Sequence, residues 1–199
     1  ARKPAAVVSV GACGANALGV CHNAVGLDVT ALQARCDVLW EKLRADGVPN
    51  IAIGDLGNEI GMGTIGEHIK KYVPFTATGE CQDGCCGGIL AASSTDNIIT
   101  ATCSDWGCYA LMAALAYLKK DMDILHREEM ESEVMRVLSR NGMIDMTGSL
   151  LPGVDGFDTR MNVGIVSMMR QCTAYAVRYS HNSDHWFGPV LAKKFFEQA

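Results

Sequence analysis

The chain has 199 residues, 49% of them hydrophobic and 20% charged, with a formal net charge of −5, enough for one domain with a sizeable core. Its 17 basic residues are scattered, so the electrostatic footprint of nucleic-acid binding is missing, and no apolar run approaches the roughly 18 to 20 residues of a membrane span. Nine cysteines, an odd number spread through apolar segments, point to reduced thiols rather than to a disulfide framework.

The opening ARKPAAVVSVGACG carries too brief an apolar stretch for a signal peptide, so an intracellular protein without membrane insertion is expected, in the mitochondrial matrix or the cytoplasm. Residues 5–10, AAVVSV, read as a strand. A loop to about residue 28 follows, with glycines at 11, 14, 19 and 26, and loops of that length usually carry function. His22, Asn23 and Asp28 stand out in it, although Asp28 or Thr30 would equally cap a helix starting near residue 30. Leu32, Cys36, Leu39, Trp40 and Leu43 fall at helical spacing, predicting an amphipathic helix over 30–45 that ends at Gly47 and packs on the sheet.

Residues 51–63, IAIGDLGNEIGMG, hold the densest chemistry. Ile51, Ala52 and Ile53 predict the end of a buried strand, which puts Asp55 at a strand's carboxyl end, where open α/β sheets bind ligands. The glycines at 54, 57, 61 and 63 let backbone N–H groups approach a ligand oxygen. Asp55, Asn58 and Glu59 supply two carboxylates and an amide, suited to acid/base work, to substrate hydrogen bonding or to a hard metal ion. As an ordinary turn, the same stretch would leave Asp55 capping the next helix. The spacing excludes a phosphate loop and a dinucleotide fingerprint.

TIGEHIKKY, residues 64–72, predicts a short helix halted by Pro74, with His68 on its surface. ECQDGCCGG brings Cys81, Cys85 and Cys86 together without paired C-x-x-C spacing, which favours packed or loop thiols over zinc. Residues 98–102 read as a strand, Ser104, Asp105 and Trp106 as a turn, and 107–119 as a helix apolar almost all round and therefore in the core. Its N-terminus would hold a carboxylate, or Ser104 and Asp105 would simply cap it. Residues 127–140, acidic early and basic late, predict a solvated covering helix. Two acidic turns, at Asp145 and at Asp155-Gly156, precede a Met-rich helix over 159–179 assigned to the core. His181 and His185 in HNSDH read as a surface turn rather than a metal pair.

The string IGDLGNEIGMG closely resembles the I-G-D-G-G-N-E-I-G-M-G signature of the C-terminal domain of D-glutamate cyclases. GVCHNAVGLDVT is similar to that family's G-x-Y-x-N-x-x-G-x-D-I-S/T, SDWGCY to its S-N-W-G-x-Y, and the acidic turns to its A-G-x-x-D-G-x-x-G and T-V-D-G runs. The resemblance covers roughly residues 7–171. Leu56 stands where the signature has a glycine, Asp105 replaces an asparagine, Met146 a glycine, and VSVGACG lacks the family's E-R-P-G arginine. The family's upstream strand and T-D-G-P-P-G turn are not in this sequence, so a second polypeptide or an oligomer partner is expected to supply that half.

Alternation of strand-like and helical segments predicts a single α/β domain over 1–199, three-layered, with a largely parallel sheet covered by helices on both faces, resembling the later two-thirds of the family's domain. The resemblance implies a lyase that closes D-glutamate, a small acidic substrate, to 5-oxo-D-proline and water. Asp55, Glu59 and Asn58 would be catalytic; Gly57, Asn23, Ser104, Asp105 and Trp106 would bind substrate. The abundance of carboxylates also suits a metal-dependent phosphohydrolase, with Asp55, Glu59, Asp105 and Asp155 holding Mg²⁺ or Mn²⁺; no cofactor is certain from the residues. A third reading is a non-catalytic remnant serving as a subunit or scaffold.

Overall fold

The computed structural model describes residues 4–145, 148–179, 188, 192 and 193. The chain divides into two compact units, residues 1–108 and 109–199. The first is an α/β unit built on a parallel three-stranded sheet in the order β1 (Val7–Val10), β2 (Asn50–Gly54), β3 (Asn97–Thr100). Ala52 pairs in register with Ser9 on one side and Ile98 on the other.

Helices flank both faces of this sheet. On one, Trp40 of α1 (Cys36–Ala45) joins Ala52, Ile60, Met62 and Ile69 of α2 (Gly66–Tyr72) in the core, with Val7 and Ile98 packed against them. The Trp40 indole N–H donates to the Ser94 carbonyl at 3.0 Å, so burying the ring leaves no orphan donor. On the other face the first turn of α3 (Ser104–Lys119) approaches so closely that a Cβ on Gly107 would lie 2.5 Å from Ile53 Cγ2.

Asn50 fastens β2 to the segment before β3. Its side-chain oxygen accepts from Thr95 Oγ1 and Asp96 N, and its amide donates to Asp96 Oδ2 and the Val48 carbonyl. The residue is buried, and these bonds satisfy a group that would otherwise be costly there.

The second unit pairs α4 (Glu128–Arg140) with α5 (Thr159–Tyr179), joined through the hairpin β4 (Gly153–Val154) and β5 (Phe157–Asp158). Buried Glu131 accepts from Tyr109 Oη at 2.8 Å and meets His126 Nε2 at 2.9 Å. Arg170 donates to the backbone carbonyls of Leu125 and His126.

Several sequence expectations shift. The helix predicted from residue 30 is a 3-10 turn over Thr30–Leu32 and becomes α-helical only at Cys36, so Leu32 and Leu39 lie exposed while Trp40 faces the core. The helix placed at 107 begins at Ser104, making Ser104, Asp105 and Trp106 its first turn. Its apolar surface is not all buried, since Leu115 and Leu118 are exposed. The Met-rich helix also departs from a core role: Met161 and Met168 are exposed, and its buried positions are Asn162, Val166 and Thr173. His68 is exposed as expected and lies against Tyr72. His181, His185 and Met146 fall outside the described residues.

Candidate functional site

Three backbone segments converge at the carboxyl edge of the sheet because the strands run parallel. Asp55 leaves β2, Gly11 leaves β1 and Ser104 opens α3 after β3. Asp55 Oδ2 accepts from Ser104 N at 2.9 Å and from Ser104 Oγ at 2.6 Å. Gly11, with φ +57°, passes beside them: a Cβ there would lie 3.3 Å from Ser104 Cβ. The helix start expected to hold a ligand carboxylate thus holds the carboxylate of Asp55, a charge that the N-terminal dipole of α3 favours. Asp55 itself is half-buried.

Glu59 organises the loop from inside. Oε1 accepts from Asp55 N and Leu56 N, both at 3.0 Å, and Oε2 accepts from Gly57 N at 2.7 Å. The side chain is 3% exposed. Burial pushes its carboxyl up to about 7 and the neighbouring Asp55 side chain adds to the rise, while the loop N–H groups pull it down. Gly57 takes φ +97°, and a Cβ there would come 2.7 Å from Ile69 Cγ2. Leu56, by contrast, is not among the described non-glycine residues with positive φ, so the loop tolerates a side chain where the signature has glycine.

The remaining sequence-predicted residues are placed as follows. The Gly57 N–H, expected to meet substrate, donates to Glu59. Asn58 Nδ2 donates to the His22 carbonyl at 3.0 Å, and its own carbonyl accepts from Gly14 N, zipping the signature loop to residues 12–14. Asn23 Oδ1 accepts from Val25 N and Leu27 N, an Asx-turn arrangement. Asp28 Oδ1 accepts from Thr30 N in a local turn, while the N-cap of the 3-10 turn is Val29, without a side-chain cap. Asp105 and Trp106 are half-buried in the first turn of α3, with Cys103 Sγ 3.8 Å from Asp105 Oδ2. In the second unit, Asp155 takes φ +51° at the β4–β5 turn, and Asp145 accepts from Ser149 N and Gly148 N in its own turn.

A cleft of about 440 Å³ lies elsewhere in the first unit, lined by Thr64, Glu67, His68, Lys70 and Thr78 among others. Gly63 of the signature loop lines it, whereas Asp55, Asn58, Glu59, Asn23, Ser104, Asp105 and Trp106 do not.

One grouping escaped the sequence reading. His22, Cys81, Asp83 and Cys85 each offer a ligand atom, and these atoms all lie within 4.8 Å of one another. Asp55 and Glu59 belong to no such group of three or more among the described residues. The cysteines set aside as loop thiols are therefore partners of a histidine contributed by the glycine-rich loop, a juxtaposition that only the fold creates.

Comparison with known proteins places most of the chain in one family. The sequence model of the family described as D-glutamate cyclase-like, C-terminal, matches residues 1–170. The protein named D-glutamate cyclase, mitochondrial, from Homo sapiens is 30% identical over 116 residues. That stretch is 56% of this chain and 17% of the human protein's length.

Proposed function

This chain belongs to the D-glutamate cyclase-like C-terminal family, and from that membership we propose that it is a lyase closing D-glutamate to 5-oxo-D-proline with loss of water. The observation that carries the reading is the pairing at the sheet edge: half-buried Asp55, held through Oδ2 by Ser104, beside a buried Glu59 whose carboxyl is pushed up to about 7. A half-buried carboxylate whose direction is fixed by a buried neighbour suits proton relay.

In the reaction the substrate nitrogen attacks its own side-chain carboxyl carbon. An N–C bond forms and a C–O bond breaks. The ammonium gives up two protons and the departing oxygen takes both, leaving as water, so the step needs proton relay and no net acid. Asp55 is the relay. Glu59 holds the Asp55 and Leu56 N–H groups, so it fixes the direction in which the Asp55 carboxylate points. Asp105 and Trp106, following Ser104 directly on α3, are the side chains proposed to line the substrate, with Asn58 and Asn23 on the facing loops. The same reading takes the chain to the mitochondrial matrix or the cytoplasm.

The test is to incubate the folded chain with D- and with L-glutamate, divalent cations supplied, and to resolve 5-oxoproline by chiral chromatography. Product from the D isomer is expected. No product from either isomer, with folding verified by circular dichroism, overturns the reading.

A further inference from the structure

We propose that His22, Cys81, Asp83 and Cys85 form a closed, four-ligand zinc site that clamps the 81–88 loop onto the glycine-rich loop after β1. The donors are in place. Cys85 Sγ lies 3.1 Å from Cys81 Sγ and 3.3 Å from His22 Nε2, and His22 Nε2 lies 3.2 Å from Asp83 Oδ2. With Zn–S bonds of about 2.3 Å and Zn–N or Zn–O bonds of about 2.0 Å, a tetrahedron has S···S edges of about 3.8 Å, S···N edges of about 3.5 Å and N···O edges of about 3.3 Å. The imidazole and carboxylate already sit at that spacing, and the two sulfurs need to part by roughly 0.7 Å to admit the ion.

The surroundings are built for a metal–thiolate rather than for idle thiols. His22 is 0% exposed, and its side-chain partners, Asp83 and Cys85, both lie on Nε2. Its Nδ1 is buried without a hydrogen-bond partner, so Nε2 carries all of the ring's polar contacts. Two further donors, Asn16 Nδ2 at 3.5 Å and Gly87 N at 3.3 Å, converge on Cys85 Sγ, as donors around metal-bound sulfur do. Three residues separate Cys81 from Cys85 across a tight turn, in which Gly84 N donates to the Cys81 carbonyl. That spacing lies within the range of structural zinc knuckles.

Soft sulfur with imidazole selects zinc over Mg²⁺ or Mn²⁺, and four protein ligands leave no position for a reacting water. The role is therefore structural and is independent of the cyclase reading. On binding, each thiol loses its proton to solvent and each sulfur donates a lone pair to the ion, with no change of oxidation state. The clamp reaches the sheet edge through His22, whose carbonyl accepts from Asn58 of the signature loop and from Cys13 Sγ.

The experiment uses the full chain, reduced and stripped with chelator, then titrated with Zn²⁺ alone. One equivalent of zinc per chain by atomic spectroscopy and a higher melting temperature are expected, and Co²⁺ in its place should show a thiolate charge-transfer band with tetrahedral d–d absorption. Cys81→Ser with Cys85→Ser should abolish uptake. Asp83→Asn, on the most exposed of the four ligands and so least disruptive to folding, should weaken affinity at least tenfold and leave the cobalt charge-transfer band in place. No stoichiometric uptake by the reduced chain, a Cys81–Cys85 disulfide that forms in place of metal binding, or zinc that persists in the double serine variant overturns the proposal.

Discussion

Asp55 caps helix α3 from a different strand: its Oδ2 takes both the backbone N–H and the hydroxyl of Ser104, 49 residues further along the chain. One carboxylate thus ties the end of β2 to the start of the helix after β3. Both donors sit on the first residue of α3, so the carboxylate is held by a single rigid helix start.

Asp55→Asn is expected to separate the two duties of this residue. An amide oxygen still caps, so stability should fall by no more than about 1 kcal/mol. A relay carboxylate has no such substitute, and oxoproline formation should drop about 10²-fold or more. Thermal melts and turnover measured on the same preparation check this. Full activity in the variant would move the chemistry away from the sheet edge.

Glu59 makes stability depend on pH in a direction opposite to that of a salt-bridged acid. Its carboxyl titrates at about 7 in the folded chain against an ordinary 4.5, so the folded state binds this proton more tightly than the unfolded one. Its contribution is therefore full below pH about 4.5, declines as pH rises, and is lost above about 7, a swing on the order of 3 kcal/mol. Urea midpoints across that window should fall in the natural chain relative to Glu59→Gln, which cannot titrate. Parallel curves for the two proteins would refute the assignment.

Gly61 and Gly47 both take positive φ but differ in room. A Cβ at Gly61 would lie 2.3 Å from Ala52 Cβ in the core, whereas nothing lies within 4 Å of one at Gly47. Gly47→Ala should cost about 1 to 2 kcal/mol, the backbone penalty alone. Gly61→Ala should add overpacking of about 1 to 3 kcal/mol. Equal losses in denaturant melts would mean that the loop relaxes freely around Ala52.

Local chemistry accounts for what was legible beforehand. The run Ile51, Ala52 and Ile53 points to a strand because apolar residues bounded by turn formers leave little else to be, and β2 forms over Asn50–Gly54. Asp55 at its end followed from the parallel-sheet reading. The start of α1 was misjudged because Leu32 has helical spacing to Cys36, yet Gln33 turns extended and breaks the helix between them. The ligand cluster was beyond reach for another reason. Asp83 and Cys85 lie 61 and 63 positions from His22, and hydrophobic periodicity says nothing about which loops a sheet edge brings together. Glu59 read as a chemical group from its type, but its burial against three backbone N–H groups depends on how the loop closes over it.

The parallel register has a consequence for how the protein is made. Val7 pairs with Asn50, and Ile51 with Asn97, so each strand finds its neighbour only across more than 40 intervening residues. At about 5 to 20 residues per second of synthesis, β1 emerges roughly 2 to 9 seconds before the segment it must pair with exists. During that interval the segment Val7–Val10 waits without the β2 partner that makes it a strand. Translation speed across residues 11–50 therefore sets how long that segment waits.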